Sequence, residues 1–149
     1  MANSCKVDWM SAGHNFSSTN RALAANTPDV FKIALYSVAN GASLGPTTTA
    51  YTTVGEVVGT GYTAGGQVLT ITQSPTNSGT PNTTAYVNFA TVVWSGASFS
   101  ADGALIYNST NANKAVAVFN FGGTKTASGL PFTVNFPAAG TGSAVVEIV

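Results

Sequence analysis

Catalytic chemistry in this sequence would have to come from five carboxylates and one histidine. The carboxylates are Asp8, Asp29, Glu56, Asp102 and Glu147. A paired acid–base mechanism, such as that of glycoside hydrolysis, needs two ionisable groups held beside the reacting bond. No two of the carboxylates lie at helical or strand spacing, and no serine stands in a nucleophile elbow that could work with His14. We therefore predict that the protein is not an enzyme and has no catalytic residue.

The sequence also contains few residues that could bind a metal ion or a cofactor. Cys5 is the only cysteine, so neither an intramolecular disulfide nor a thiolate cluster can form. Clustered histidine, cysteine and carboxylate ligands are absent from the sequence. Residues 59–66 are rich in glycine like a phosphate-binding loop, but they lack its Lys-Ser/Thr ending and precede a strand pattern. We interpret this segment as a glycine-rich turn and expect no metal or cofactor.

Three tyrosines offer a different kind of site. Tyr51, Tyr62 and Tyr86 each stand next to threonine or alanine and could line a carbohydrate-contacting face, because tyrosine combines a stacking surface with a polar hydroxyl. Ordinary packing inside a β-domain is the alternative. Phe119 and Phe121 share a parity along one predicted strand, so at least one of them should point inward.

Composition restricts the partners that the chain can bind. Only 7% of its residues are charged, against roughly a quarter in ordinary soluble domains, and the formal net charge is zero. The few lysines and the arginine are scattered along the chain, which argues against nucleic-acid binding. No apolar run approaches the ~18 residues of a membrane span, and the first residues lack the apolar stretch of a signal peptide. We expect neither nucleic acid nor membrane as a partner.

The elements that must position these residues are short strands. Apolar or alternating runs separated by Gly, Pro, Asn and Ser occur at 30–36, 48–62, 67–72, 84–89, 92–94, 103–107, 115–121, 132–136 and 144–148. The pattern predicts an all-β domain over residues 29–149, an antiparallel β-sandwich of jelly-roll-like type. Residues 73–83 and 108–113 are predicted loops, and Asp102-Gly103 is a turn signal before a strand.

The first 28 residues form a predicted N-terminal arm that is irregular or partly helical. Short helical turns fit residues 4–10 and 20–25, but Gly13 and Pro28 prevent a longer helix. An apolar arm that cannot bury itself packs on a neighbour, so we predict that it contacts a second copy or another subunit. The alternative is that it caps one end of its own sandwich. The predicted interface residues are Val7, Trp9, Met10 and Phe16.

Several strings occur together in a characteristic order. They are FKIALY from Phe31, TTAYTTVGEVVGTGYTAGG from Thr48, GALIYN from Gly103, KAVAVFNFG from Lys114 and FTVNFP from Phe132. Over residues 29–149 the chain resembles a family of small structural proteins encoded in tailed-bacteriophage genomes. The resemblance implies a virion component with no catalytic residues, made in the bacterial cytoplasm without a signal peptide.

Within a virion, the composition favours a capsid decoration or cement protein. Such a protein sits on the shell in many copies, and we expect a homotrimer that contacts the major capsid protein or other virion subunits. A surface with few charges suits this role because cementing depends on apolar burial and hydrogen bonding across subunit seams. One alternative is a subunit of the tail, the neck or a fibre. A second is a module that binds carbohydrate on the host surface.

Overall fold

The computed structural model describes residues 13–16, 29–78, 84–137 and 145–148. Seven strands and one short 3₁₀ helix, Val38–Asn40, lie within these ranges. The strands are β1 Phe31–Tyr36, β2 Gln67–Val68, β3 Ile71–Ser78, β4 Thr84–Phe89, β5 Val92–Asn108, β6 Lys114–Val134 and β7 Val146–Ile148. The prediction of an all-β protein is confirmed.

The strands form two antiparallel sheets. The four-stranded sheet has the order β2-β1-β5-β6, and the three-stranded sheet has the order β3-β4-β7. β1 runs through the middle of the larger sheet and is buried at five of its six residues. This explains why its sequence, FKIALY, is apolar at almost every position instead of strictly alternating.

A long β5–β6 hairpin replaces two pairs of predicted short strands. β5 has 17 residues and β6 has 21, and several register shifts interrupt their pairing. The prediction of a turn at Asp102-Gly103 is wrong, since both residues lie within β5. Opposite them, β6 bulges outward between Asn120 and Lys125. A Cβ at Gly103 would collide with the Phe119 carbonyl oxygen, so this glycine permits close approach of the two strands.

Two other segments depart from the predicted pattern. The predicted loop over 73–83 is wrong for its first part, because β3 continues through Ser78. Residues 48–62, predicted to contain a strand, form turns joined to the sheet by isolated bridges. Pairing with β4 accounts for the first difference, and glycines at positive φ account for the second. The predicted helical turns at 4–10 and 20–25 lie outside the described residues.

The core includes aromatic contacts between the two sheets. Phe31 of β1 and Phe89 of β4 are both buried, with ring centroids 6.1 Å apart. Phe16 stacks on Phe31 at 4.2 Å with an interplanar angle of 6° and is 5% exposed. Burial of such a ring contributes about 1.5–3 kcal/mol to stability. Residues 13–16 of the predicted arm therefore pack on the chain's own domain.

Candidate functional site

The centre of the site is the carboxylate of Glu56, which is 5% exposed. The Tyr62 hydroxyl and the Gly65 N–H each donate to its Oε1 atom at 2.7 Å. The Tyr51 hydroxyl donates to Oε2, also at 2.7 Å. An ionised carboxylate accepts hydrogen bonds only, so three converging donors are matched to its charged form.

Residues 51–66, here called the tyrosine strap, carry this carboxylate along the edge of β1. The backbone N–H of Val57 donates to the Leu35 carbonyl at 2.9 Å, which continues the edge pairing that β2 begins farther along β1. On the same edge, between the Leu35 carbonyl and the residues that pair with β2, the Tyr62 hydroxyl accepts the Leu35 N–H at 3.0 Å. A side-chain oxygen therefore takes the place of a strand carbonyl.

Glycines allow the tyrosine strap to lie this close to the sheet. Gly55 has φ +79° and Gly66 has φ +68°, values that other residues rarely adopt. A Cβ at Gly55 would collide with the backbone of Ala42, and one at Gly66 would collide with the Ile33 carbonyl. Both positions therefore require glycine for conformation and for space.

Two further tyrosines bind the tyrosine strap from the sheet. Tyr36 of β1 donates its hydroxyl to the Thr52 carbonyl at 2.6 Å, and Tyr107 of β5 donates to the Gly65 carbonyl at 2.7 Å. The ring of Tyr107 also stacks on that of Tyr51, with centroids 4.7 Å apart. Four phenols thus fix a segment that has almost no regular secondary structure.

The environment of Glu56 also changes the acidity of these phenols. Burial raises the pKa of Tyr62 and Tyr51 well above the usual phenol range, and their hydrogen bonds to the carboxylate raise it further. Burial likewise raises the pKa of Tyr36 and of Tyr107, with a smaller contribution from the Glu56 charge. All four side chains therefore remain protonated donors at neutral pH.

The polar groups of this cluster hold the backbone of the tyrosine strap in place. Both oxygens of Glu56 are held by groups of the same chain. Tyr51 and Tyr62 direct their hydroxyls to Glu56, while Tyr86 lies on β4 of the other sheet. The three tyrosines proposed as a carbohydrate-contacting face therefore do not share one face.

A second polar cluster surrounds Asn108 at the end of β5. Asn108 is fully buried, and its Nδ2 atom lies 2.7 Å from Oδ2 of Asp29 and 3.0 Å from Nδ1 of His14. The same Asp29 oxygen accepts the Asn15 N–H at 2.8 Å, and Asn111 donates its side-chain amide to the Gly13 carbonyl at 2.6 Å. The cluster joins residues 13–16 to the β5–β6 loop.

Asp102 is the third acidic side chain that the structure describes, after Glu56 and Asp29. It lies at the surface beside the β6 bulge. It accepts the Val38 N–H at 2.8 Å on one oxygen and the Thr124 hydroxyl at 2.5 Å on the other. The hydrogen bond from Thr124, followed by that from Val38, lowers the pKa of Asp102 below its usual value. Asp102 therefore ties the 3₁₀ helix to the bulge.

The predicted interface residues are only partly described. Val7, Trp9 and Met10 lie outside the described residues. Phe16 is one of the predicted interface residues, but the structure buries it against Phe31 and Phe89 of its own chain. Stacking between Phe16 and Phe31 favours the alternative in which this part of the arm caps the domain.

The described residues offer neither a grouped set of metal ligands nor a membrane-spanning helix. Within 13–16, 29–78, 84–137 and 145–148, no three His, Cys, Asp or Glu residues are grouped so that they could hold a metal ion. No helix within those same residues has the length and apolar character that crossing a membrane requires.

Sequence reasoning missed the Glu56 cluster. Its members are separated by five and six residues along the chain, so neither the helical nor the strand period places all three on one face. The available signal was a single glutamate in a segment rich in glycine and tyrosine.

The chain matches no protein-family model, and neither curated proteins nor solved structures give a match.

Proposed function

We propose that this chain is a structural protein of a bacteriophage virion, most specifically a capsid decoration or cement protein present in many copies. The observation that carries the proposal is the role of the acidic side chains within the fold. All three acidic side chains that the structure describes, Asp29, Glu56 and Asp102, accept hydrogen bonds from their own chain. Each one holds an irregular segment of its own chain in place.

Acidic side chains that hold the chain's own fold together suit a protein whose role is to contact other subunits. With 7% charged residues and no net charge, neighbouring copies repel each other weakly. Contacts that bridge several shell subunits oppose their separation, and many weak contacts together give strong attachment. We propose a homotrimer as the attached unit and the major capsid protein as its partner.

The proposed architecture is a β-sandwich of jelly-roll-like type. Support comes from the ring contact between Phe31 in the four-stranded sheet and Phe89 in the three-stranded sheet. Phe136, which follows β6, also lies 6.0 Å from Phe89, measured between ring centroids. A sandwich buries such aromatic side chains between its two inner faces.

The test is the copy number of this protein in purified phage particles, measured by quantitative mass spectrometry against the major capsid protein. A decoration protein should occur in numbers comparable with the capsid subunits. Copy numbers comparable with tail or neck proteins would replace the decoration role by the tail alternative. Absence from purified particles would overturn the proposal that it is a virion protein.

A further inference from the structure

Residues of β6 line a groove that is separate from the Glu56 and Asn108 clusters. β6 is the last strand of the four-stranded sheet. Near its start, Ala50 bridges Lys114 and the Thr49 carbonyl accepts the Ala115 N–H. Beyond that point, no strand among the described residues pairs with this edge of β6.

The groove has a volume of about 690 Å³ and is lined by β6 together with Asn135, which follows it. Its apolar wall includes Phe121, Leu130 and Phe132. Phe132 is buried against Trp94 and Phe99, so this wall is anchored in the core. Leu130, in contrast, is 67% exposed. The groove thus offers a fixed apolar surface with one solvent-exposed aliphatic side chain.

The backbone beside the groove can bind an extended chain. Residues 125–128 pair one to one with 98–101 of β5, and in such a strand alternate residues direct their N–H and C=O groups away from the paired neighbour. Pro131 has no N–H to donate and limits the usable stretch on its C-terminal side. Free edge groups of this kind bind an added strand through main-chain hydrogen bonds.

One charge defines the chemistry of the occupant. Of the described residues that line the groove, Lys125 alone is charged, and its side chain is exposed. No ion pair joins it to a carboxylate in the part of the chain that the structure describes. A complementary occupant therefore carries an acidic side chain near Lys125 and an apolar side chain near Leu130.

We propose that this groove receives an extended segment of a neighbouring virion subunit, with an apolar side chain against Phe121, Leu130 and Phe132 and a carboxylate at Lys125. The partner's location in a virion rests on the proposed function. The groove and the chemistry of its occupant rest on the geometry of β6.

The first experiment measures binding of the purified full-length chain to phage particles that lack it. Leu130→Asp and Lys125→Glu should each weaken binding at least about tenfold, which corresponds to roughly 1.4 kcal/mol. The matched control is Val68→Asp, because Val68 is 60% exposed but lies on β2 at the opposite edge of the same sheet. This control should bind like the unaltered chain. Thermal melting of each variant verifies that it is folded.

A second experiment tests the groove without particles. The probe is a synthetic peptide of alternating valine and threonine with one central glutamate, compared with the same peptide carrying lysine there. Backbone NMR shifts should change at Thr126 and Ser128 with the glutamate peptide and much less with the lysine peptide. A Lys125→Glu chain should reverse this preference.

The outcomes separate the two proposals. If the unaltered chain and both groove variants bind particles equally well, the groove proposal is wrong and the virion function stands. If the unaltered chain binds no particle but the glutamate peptide shifts β6, the virion function fails and the groove stands as a peptide site. If neither particles nor peptide bind, both proposals are overturned.

Discussion

The Tyr62 hydroxyl donates a hydrogen bond to Oε1 of Glu56 across 2.7 Å. The same hydroxyl accepts the backbone N–H of Leu35, so one phenol satisfies an edge donor of β1 and an acid that is only 5% exposed. A buried polar group without a partner costs more than its hydrogen bond contributes when formed. This relationship therefore makes the tyrosine strap and β1 depend on each other.

Removing that phenol should destabilise the fold. We expect Tyr62→Phe and Glu56→Gln each to lower the free energy of unfolding by about 1–3 kcal/mol, since each leaves a hydrogen-bonding group without its partner. The double variant should lose less than the sum of the two, because both changes break one interaction. Urea unfolding measures all three variants. Tyr86→Phe, on the other sheet, is the matched control, and strict additivity would contradict the coupling.

Alkaline pH should loosen the same cluster. Burial and the Glu56 carboxylate raise the pKa of Tyr51 and Tyr62 above the unfolded value of about 10. The stability that these phenols contribute is therefore fully present below about pH 10 and is lost as pH rises above it. Urea midpoints should fall from that pH upward, together with the appearance of tyrosinate absorbance.

Removing the phenols near Glu56 should make the free energy of unfolding depend less steeply on pH in the alkaline range. Tyr51→Phe combined with Tyr62→Phe lowers stability at neutral pH but deletes two of the groups whose ionisation is opposed by the fold. An unchanged slope between pH 10 and pH 12 in this variant would show that other groups control the alkaline transition.

Much of the strand content could be predicted because apolar and β-branched runs are local signals. FKIALY and TAYVNF became β1 and β4 with bounds close to those expected. The predicted division of β5 into two short strands is wrong, because Asp102-Gly103 has the composition of a turn but lies within the strand. Pairing with β6 overrides that local preference, and the extra residues are accommodated in a bulge on the partner strand.

The Glu56 cluster could not be predicted from the sequence because its geometry is created by backbone conformation. Glycines at 55 and 66, both at positive φ, bring Tyr51, Glu56 and Tyr62 together. Sequence spacing alone carries no information about such a path. For the same reason, the sequence does not distinguish a carbohydrate-contacting face from internal packing for Tyr51 and Tyr62.

The importance of backbone space at Gly66 can be measured with a matched pair of alanine variants. Gly66 and Gly122 have nearly equal φ values, +68° and +69°, so alanine imposes similar conformational strain at both. A Cβ at Gly66 would collide with the Ile33 carbonyl, whereas one at Gly122 meets no atom within 4 Å. We expect Gly122→Ala to cost about 1–3 kcal/mol from strain alone.

Gly66→Ala should cost clearly more than Gly122→Ala, because β1 and the tyrosine strap must separate to admit the methyl group. Thermal and urea unfolding of the two variants give the difference directly. Equal losses would mean that the tyrosine strap does not approach Ile33 as closely as the structure places it.

The final prediction concerns Phe16, whose position decides between the two interpretations of the N-terminal arm. Its ring stacks on Phe31 at 4.2 Å and lies 6.4 Å from Phe89, both measured between centroids. Deleting a buried aromatic ring removes its transfer free energy and leaves a cavity. We therefore expect Phe16→Ala to lower the free energy of unfolding by about 3–5 kcal/mol. Val38→Ala, at a side chain that is 68% exposed, should be nearly neutral.

Two truncations extend this test to the chain end. Removing residues 1–16 deletes the Phe16 ring and the contacts of His14 and Asn15 at Asp29 and Asn108, whereas removing residues 1–12 keeps them. The longer truncation should be less stable than the shorter one by at least the Phe16→Ala loss, because the hydrogen bonds around Asn108 are lost as well. Sedimentation equilibrium on the same proteins reports association. If Phe16→Ala leaves stability unchanged and instead abolishes self-association, Phe16 belongs to an interface between copies, and its assignment to the core of its own chain is wrong.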